Sequence, residues 1–375
     1  MLIVSSVVHK ENDFYQNKTK EEKMKKVLIL ALVCVLAFCL AIGCAPKQAP
    51  ATQEAPAASA ADDKPAADTS KSGGDSSSTA GKKVVFQIAG TAAPFCAAQA
   101  LFTQQEADKY GWDLTILDGG LDALQNTKDL EDAIAMNPDL IITMPIDSAA
   151  MSAGYKKAAE AGIPMINDTI TCLAEDEQYM MCFNGPNNFL MSAAAAEMMN
   201  EALGGKGKIV MLTTQPGQTT TTERTQGFVD RLAELGSEIE IIATQNSDSL
   251  KDRAVTAMAD LITKYGSEIQ GVYTQEDSSA VGAYLALSES SIDPASVIIQ
   301  SCAGNKEGLA AIQAGQIYGT VLHSASLSMI QACELGNDIM LRGLKYPQQL
   351  EEYWHFIPIP KVTAKNVEEY LPGDW

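Results

Sequence analysis

Leu140-Ile141-Ile142-Thr143-Met144-Pro145-Ile146-Asp147 opens the stretch that decides the fold. Four residues rich in branched apolar side chains form a short run of the kind that is buried on both faces of a parallel sheet. Pro145 ends the run, and Asp147 is placed to accept the first free N–H groups of a helix. That helix stops at Gly162, ahead of Pro164, and Met165-Ile166 begins another apolar run. A strand, a helix of about a dozen residues and a second strand is the unit from which parallel α/β sheets are built.

The same alternation extends in both directions. On the N-terminal side, Val84-Val85-Phe86-Gln87-Ile88-Ala89 and Leu114-Thr115-Ile116-Leu117 read as strands. They alternate with helices over Ala97 to Tyr110 and Asn126 to Met136, the second with Leu130, Ala133 and Ile134 on one face. The pattern restarts after Asn188. A helix runs to Leu203 and Gly204-Gly205, then Lys208 to Leu212 is a strand, and Phe228, Leu232 and Leu235 line a helix ending at Gly236. Ile239 to Ala243, Gly271 to Thr274, Val297 to Ile299 and Gly319 to Leu322 are further strands, and Val255, Met258, Ala259 and Ile262 keep helical spacing. Two runs of similar length imply an α/β protein of two similar lobes, each with a parallel sheet. No exact sequence repeat relates them.

Upstream of the first strand the character changes twice. Lys25-Lys26 precedes an unbroken apolar run from Val27 to Ile42, followed by Gly43-Cys44. A basic start, an apolar core and small residues before a cut site make a secretory signal. A cysteine directly after the cut makes it the bacterial lipoprotein pattern, with Leu40 one place earlier than that pattern prefers. The expectation is cleavage after Gly43, diacylglycerol on Cys44, and a mature protein held by its lipid on the outer face of the cell membrane. The apolar run is shorter than the ~20 residues a spanning helix needs. Met24 is the expected true start. Residues 44–82, rich in Ala, Pro, Ser, Asp and Lys, have too little apolar surface to offset chain entropy and read as a flexible tether.

The chain has 375 residues and a formal charge of −20, and 46% of its residues are hydrophobic, enough for a substantial core. The charge excludes nucleic acid as a partner, because phosphate contacts need clustered Lys and Arg. Of eight cysteines, Cys34 and Cys39 fall in the leader and Cys44 at the lipid site. The remaining five form no C-x-x-C pair, which argues against structural zinc. Cys172 and Cys182 flank a short acidic loop and are either a disulfide or two buried thiols. Catalytic signatures are missing. Ala89-Gly90-Thr91-Ala92-Ala93-Pro94 after the first strand is not G-x-G-x-x-G, and neither a Walker sequence nor a G-x-S-x-G elbow occurs. No enzyme activity, cofactor or metal is expected.

Several segments, in order, resemble the sugar-type periplasmic binding proteins, the ribose/galactose-binding group of ABC importers. Ile141 to Ser148 carries that group's P-x-D-S core. Lys157-Ala158-Ala159-Glu160-Ala161-Gly162-Ile163-Pro164 resembles its next segment, and Gly207 to Val210 followed by Arg224-Thr225-Gln226-Gly227-Phe228 the start of its second lobe. Gln275-Glu276-Asp277 with Gly282-Ala283, and Ala314-Gly315-Gln316-Ile317 with Gly319-Thr320-Val321, complete the likeness. The resemblance implies the type I periplasmic binding protein fold, two doubly wound parallel-sheet lobes joined by three crossovers, with ligand held between them. The first lobe is expected over 83–187 and 324–352, the second over 188–323 and 353–375. The implied partners are a small sugar-like molecule, an importer permease with its ATPase, and the membrane through the lipid anchor, for a monomeric protein. A membrane signalling receptor in place of the permease, or a polyol or amine-bearing ligand in place of a sugar, is the alternative.

Carried over position by position, the resemblance implies a pocket that departs from a hexose site. Ala93-Pro94-Phe95-Cys96 stands where the family has Asn-Pro-Phe-Phe, so Phe95 keeps a stacking face and Cys96 replaces an aromatic. Met144 stands at a usual Asn, Asp168-Thr169 near the family's Asp-Arg, and Thr222 at the first Arg of R-x-R. Arg224 matches the second Arg, which is more often structural, so no pocket arginine is expected. Glu276 replaces an Asn beside Asp277, Cys302 replaces a Phe, and His323 replaces a Gln.

Overall fold

A computed structural model describes residues 78–375. The leader, Cys44 and most of the tether lie outside the described residues. The folded part begins ahead of 83. Thr79 is buried, accepts a hydrogen bond from Trp112 Nε1 at 2.8 Å and donates to Asn337 Oδ1 at 2.7 Å.

Two six-stranded sheets organise the chain. The first contains β1 (Lys83–Ile88), β2 (Asp113–Asp118), β3 (Leu140–Thr143), β4 (Met165–Asp168), β5 (Cys182–Gly185) and β11 (Trp354–Phe356), in the order β11-β5-β4-β3-β1-β2. All its pairings are parallel. The second contains β6 (Lys206–Thr213), β7 (Glu238–Asn246), β8 (Gly271–Thr274), β9 (Ile298–Ala303), β10 (Gly319–Leu322) and β12 (Lys361–Thr363), in the order β12-β10-β9-β8-β6-β7. Only β12, at the edge, runs antiparallel to its neighbour. The connecting helices are α1 (Pro94–Tyr110), α2 (Ala123–Ala135), α3 (Ser148–Glu160), α4 (Asn188–Leu203), α5 (Thr219–Glu234), α6 (Lys251–Tyr265), α7 (Asp277–Ser288), α8 (Lys306–Gln313) and α9 (Ala325–Arg342). No helix among the described residues is long and apolar enough to cross a membrane.

The two sheets are thus doubly wound, as the resemblance implies. Each is covered on both faces by apolar clusters. Val84, Phe86 and Ile88 point to one side of the first sheet and Val85 to the other; Val210 and Leu212 split from Ile209 and Met211 in the second. This is the two-residue period of a strand buried on both faces.

The chain passes between the sheets three times. It leaves the first after β5, since α4 packs on the second sheet, and returns after β10, since α9 packs on the first. The third passage differs from the expected one at 353. Trp354–Phe356 still pairs with β5 of the first sheet, and only Lys361–Thr363 joins the second. Trp354 and Phe356 pack against Phe183 and anchor this short strand where it is.

Candidate functional site

A cavity of about 80 Å³ lies between the two lobes, and much of its wall comes from loops that directly follow strands. The first lobe contributes Ala89 after β1, Leu121 after β2, Met144 after β3, and Thr169 and Ile170 after β4. The second contributes Thr214 and Gln215 after β6, Asp248 and Ser249 after β7, Glu276 after β8 and His323 after β10. In open α/β sheets ligands bind at the carboxyl ends of strands where the strand order reverses, and both sheets aim those ends at this space.

The backbone is unusual at the same place. Leu121, Thr169, Asp248 and Ser249, all lining the cavity, have φ of 61°, 57°, 51° and 60°. Such conformations are costly for non-glycine residues and concentrate at binding sites. The Leu121 turn is held by close approach: its N–H donates to Ala89 O at 3.0 Å, and a Cβ on Gly90 would lie 2.4 Å from Leu121 N.

Six of the expected site residues meet here: Phe95, Cys96, Met144, Thr169, Glu276 and His323. Phe95 and His323 face each other with ring centroids 4.4 Å apart. The imidazole is held neutral because burial, and then the nearby Arg224 charge, push its pKa well below the usual value; its Nδ1 has no partner among the described residues. The Cys96 thiol lies 3.8 Å from Met144 Sδ, and burial pushes its pKa up to about 12, so it is an apolar wall rather than a nucleophile. Glu276 caps α7, accepting from Ser278 N at 2.7 Å, while burial and the adjacent Asp277 raise its pKa.

Four expected site residues are elsewhere. Asp168 is fully buried under the first lobe's loops, accepting from Asn184 Nδ2 at 2.6 Å, Gln99 Nε2 at 2.7 Å, Thr169 Oγ1 at 2.9 Å and Ser328 Oγ at 3.4 Å. Asp277 is its counterpart in the second lobe, accepting from Ser301 Oγ and Gly304 N at 2.6 Å, Thr320 Oγ1 at 2.7 Å and Asn305 N at 2.9 Å. Cys302 lies in the second lobe's core, 3.7 Å from Tyr273 Oη. Thr222 is exposed on the outer side of α5.

The residues facing the cavity from α5 are instead Thr220 and Arg224, four apart and so on one helix face. Arg224 corrects the expectation of no pocket arginine. It is 3% exposed, and its Nε donates to Asn188 Oδ1 at 3.0 Å and its Nη1 to Gln275 O. Gln215 and Gln218, from the Gln215-Pro216-Gly217-Gln218 turn, and Trp375 are further wall residues not foreseen, as are Leu121, Ile170, Thr214, Asp248 and Ser249. The turn follows a strand and is polar, a signal that was readable; Trp375 lies outside any periodic pattern.

Cys96, Cys172, Cys182, Cys302 and Cys333 are all buried free thiols. Cys172 lies 3.8 Å from Tyr353 Oη, so the alternative of a Cys172–Cys182 disulfide is not the one adopted. Among the described residues no group of three His, Cys, Asp or Glu is placed to hold a metal ion.

Two lobes with opposed strand ends around a shared cavity define a binding protein of the two-lobed α/β class. Residues 84–343 match the periplasmic binding protein domain, and the chain belongs to that family. It is 28% identical over 247 residues to the ribose import binding protein of Bacillus subtilis, covering 66% of this chain and 78% of that protein. It is 28% identical over 228 residues to the xylitol-binding protein of Mycolicibacterium smegmatis, covering 58% of this chain and 62% of that protein. Among solved structures, an ABC transporter solute-binding protein from Bacillus halodurans with bound myo-inositol superposes with a TM-score of 0.70 at 23% identity, over 78% of this chain and 98% of that one.

Proposed function

We propose that this chain is a lipid-anchored solute-binding protein that takes a small sugar or polyol into the inter-lobe cavity and delivers it to an ABC importer. The observation that carries the reading is the chemistry of the wall. A single buried arginine, the carboxyl groups of Asp248 and Glu276, and the amides and hydroxyls of Gln215, Gln218, Thr214 and Thr220 share the wall with an aromatic pair, Phe95 and Trp375. Fixed polar groups opposite an apolar ring suit a molecule with hydroxyls on its edges and C–H groups on its faces. Arg224 spends Nε and Nη1 on the protein, and its remaining donors are those a ligand oxygen would use. Glu276 supplies acceptors, and its pairing with the helix N-terminus keeps it in place.

Titrating the purified protein with ribose, xylitol and myo-inositol and following thermal unfolding tests the ligand class. A ligand at 100 times its Kd adds about 2.7 kcal/mol of stability. Phe95→Ala should reduce that gain while the unliganded protein keeps its fold. No shift with any of the three, or an unchanged affinity in the variant, defeats the reading. Anchoring is tested separately. Cys44→Ser should appear in the medium or soluble fraction, whereas a variant that stays in the membrane fraction and is processed like the parent rules out lipid at Cys44.

A further inference from the structure

The segment Gly373-Asp374-Trp375 crosses between the lobes at one end of the cavity. Trp375 O accepts from Lys306 N at 2.8 Å, which ties it to α8 of the second lobe. The Asp374 carboxylate accepts from Ser324 Oγ at 2.5 Å, Ser326 Oγ at 2.6 Å and Ser326 N at 2.9 Å, which ties it to the start of α9 in the first lobe. Between these two ties the indole stands edge-on to Phe95, centroids 4.9 Å apart at 74°, with Nε1 donating to His323 O at 3.4 Å. It is 7% exposed and packs with Ala303 and Ala325, one from each lobe.

A second cavity, of about 240 Å³, adjoins the first. Pro94, Ser249 and Trp375 line both, so the indole stands in the wall that separates them. The outer space carries polar groups on one part of an otherwise largely apolar wall. It is bordered by Ser278, Asn305 and the Lys251–Glu307 ion pair, at 3.0 Å. Without the indole the two spaces would form one longer cleft with polar groups in both parts of its wall. We infer that Trp375 is the partition that sets ligand length: it stops the site at a single sugar ring or short polyol and shuts a second ring out of the outer cavity. The inference rests on the sugar or polyol reading above.

Its test uses the full chain and measures affinity calorimetrically for ribose, xylitol, myo-inositol, maltose, lactose and sucrose. The parent protein should bind at least one of the first three and none of the disaccharides. Trp375→Ala should weaken the small ligand at least tenfold and acquire binding of a disaccharide. Trp375→Phe should hold intermediate small-ligand affinity and still refuse disaccharides. Trp375→Leu, which keeps an apolar contact to Ala303 and Ala325, replaces the alanine variant if that one unfolds. Disaccharide binding by the parent, or a truncated variant that gains none, overturns the partition while leaving the sugar reading standing. A parent that binds none of the six overturns the sugar reading and the partition together.

Discussion

Asp168 and Asp277 look like ligand residues by position and serve as anchors by geometry. Each sits at the carboxyl end of its own sheet with four donors directed at it. A buried carboxylate has about four acceptor sites, so both are saturated by the protein and have little left for a ligand. Asp277 in particular gathers the loop after β9 and the strand β10, the segments that carry Gly304, Asn305 and His323. Asp277→Ala should therefore destabilise the unliganded protein by about 3 kcal/mol or more, because four buried donors lose their acceptor; Asp277→Asn, which keeps one carbonyl oxygen, should cost less. Urea unfolding without ligand measures both. An alanine variant of parental stability with weakened ligand affinity would return Asp277 to the binding site.

The apolar strands are short and continuous, and this makes them legible as elements: burial on both faces needs no polar alternation, and six of the nine α-helices among the described residues carry their own side-chain caps. Asp122, Asp147, Asn187, Glu276, Asn305 and Ser324 all accept from the first turn of the helix that follows. Since the cavity loops after β2, β3, β8 and β10 each lie between a strand and such a cap, the sequence itself marks where those loops fall. Which side chains point inward was harder to read. Along α5 the likeness to the family directs attention to Thr222, but residues 220 and 224 share a face and 222 lies on the opposite one. The phase of the helix is set by Gly227, where a Cβ would lie 2.1 Å from Phe189 O, so α5 must turn that face to α4. The strand Trp354–Phe356 is three residues long, too short for a period, and its pairing with β5 depends on aromatic contacts across the sheet. The same holds for Trp375, whose place is decided by partners from three distant segments.

At the scale of the whole molecule, the lobes touch through a small set of polar contacts beside the cavity. Asn188 Nδ2 donates to Thr169 O at 3.0 Å, Thr219 Oγ1 to Thr171 O at 2.7 Å and Thr171 Oγ1 to Glu223 Oε1 at 2.7 Å. Hinge motion that opens the cleft must break them. Glu223 makes this junction sensitive to pH. Burial raises its pKa from 4.5 to about 7, partly offset by the Thr171 and Asn188 hydrogen bonds and the Arg224 charge. Folded protein with the lobes in contact holds the proton more tightly than the unfolded chain. Its contribution is therefore fully present below about pH 4.5 and lost as the pH rises through about 7. His323 acts in the opposite sense: kept neutral by burial, it draws stability down as the unfolded imidazole takes a proton below about 6.5. The two are separated by comparison with Glu223→Gln, which keeps the shape and the Thr171 contact and removes the titration, while His323 and Glu276 remain common to both proteins. The variant should match the parent near pH 4.5 and exceed it in unfolding free energy at pH 8 by on the order of 2 kcal/mol. Because the burial depends on contact with the first lobe, ligand affinity should also fall less steeply from pH 5.5 to 8 in the variant than in the parent. Parallel stability curves for the two proteins across this range would show that Glu223 is already ionised at the junction.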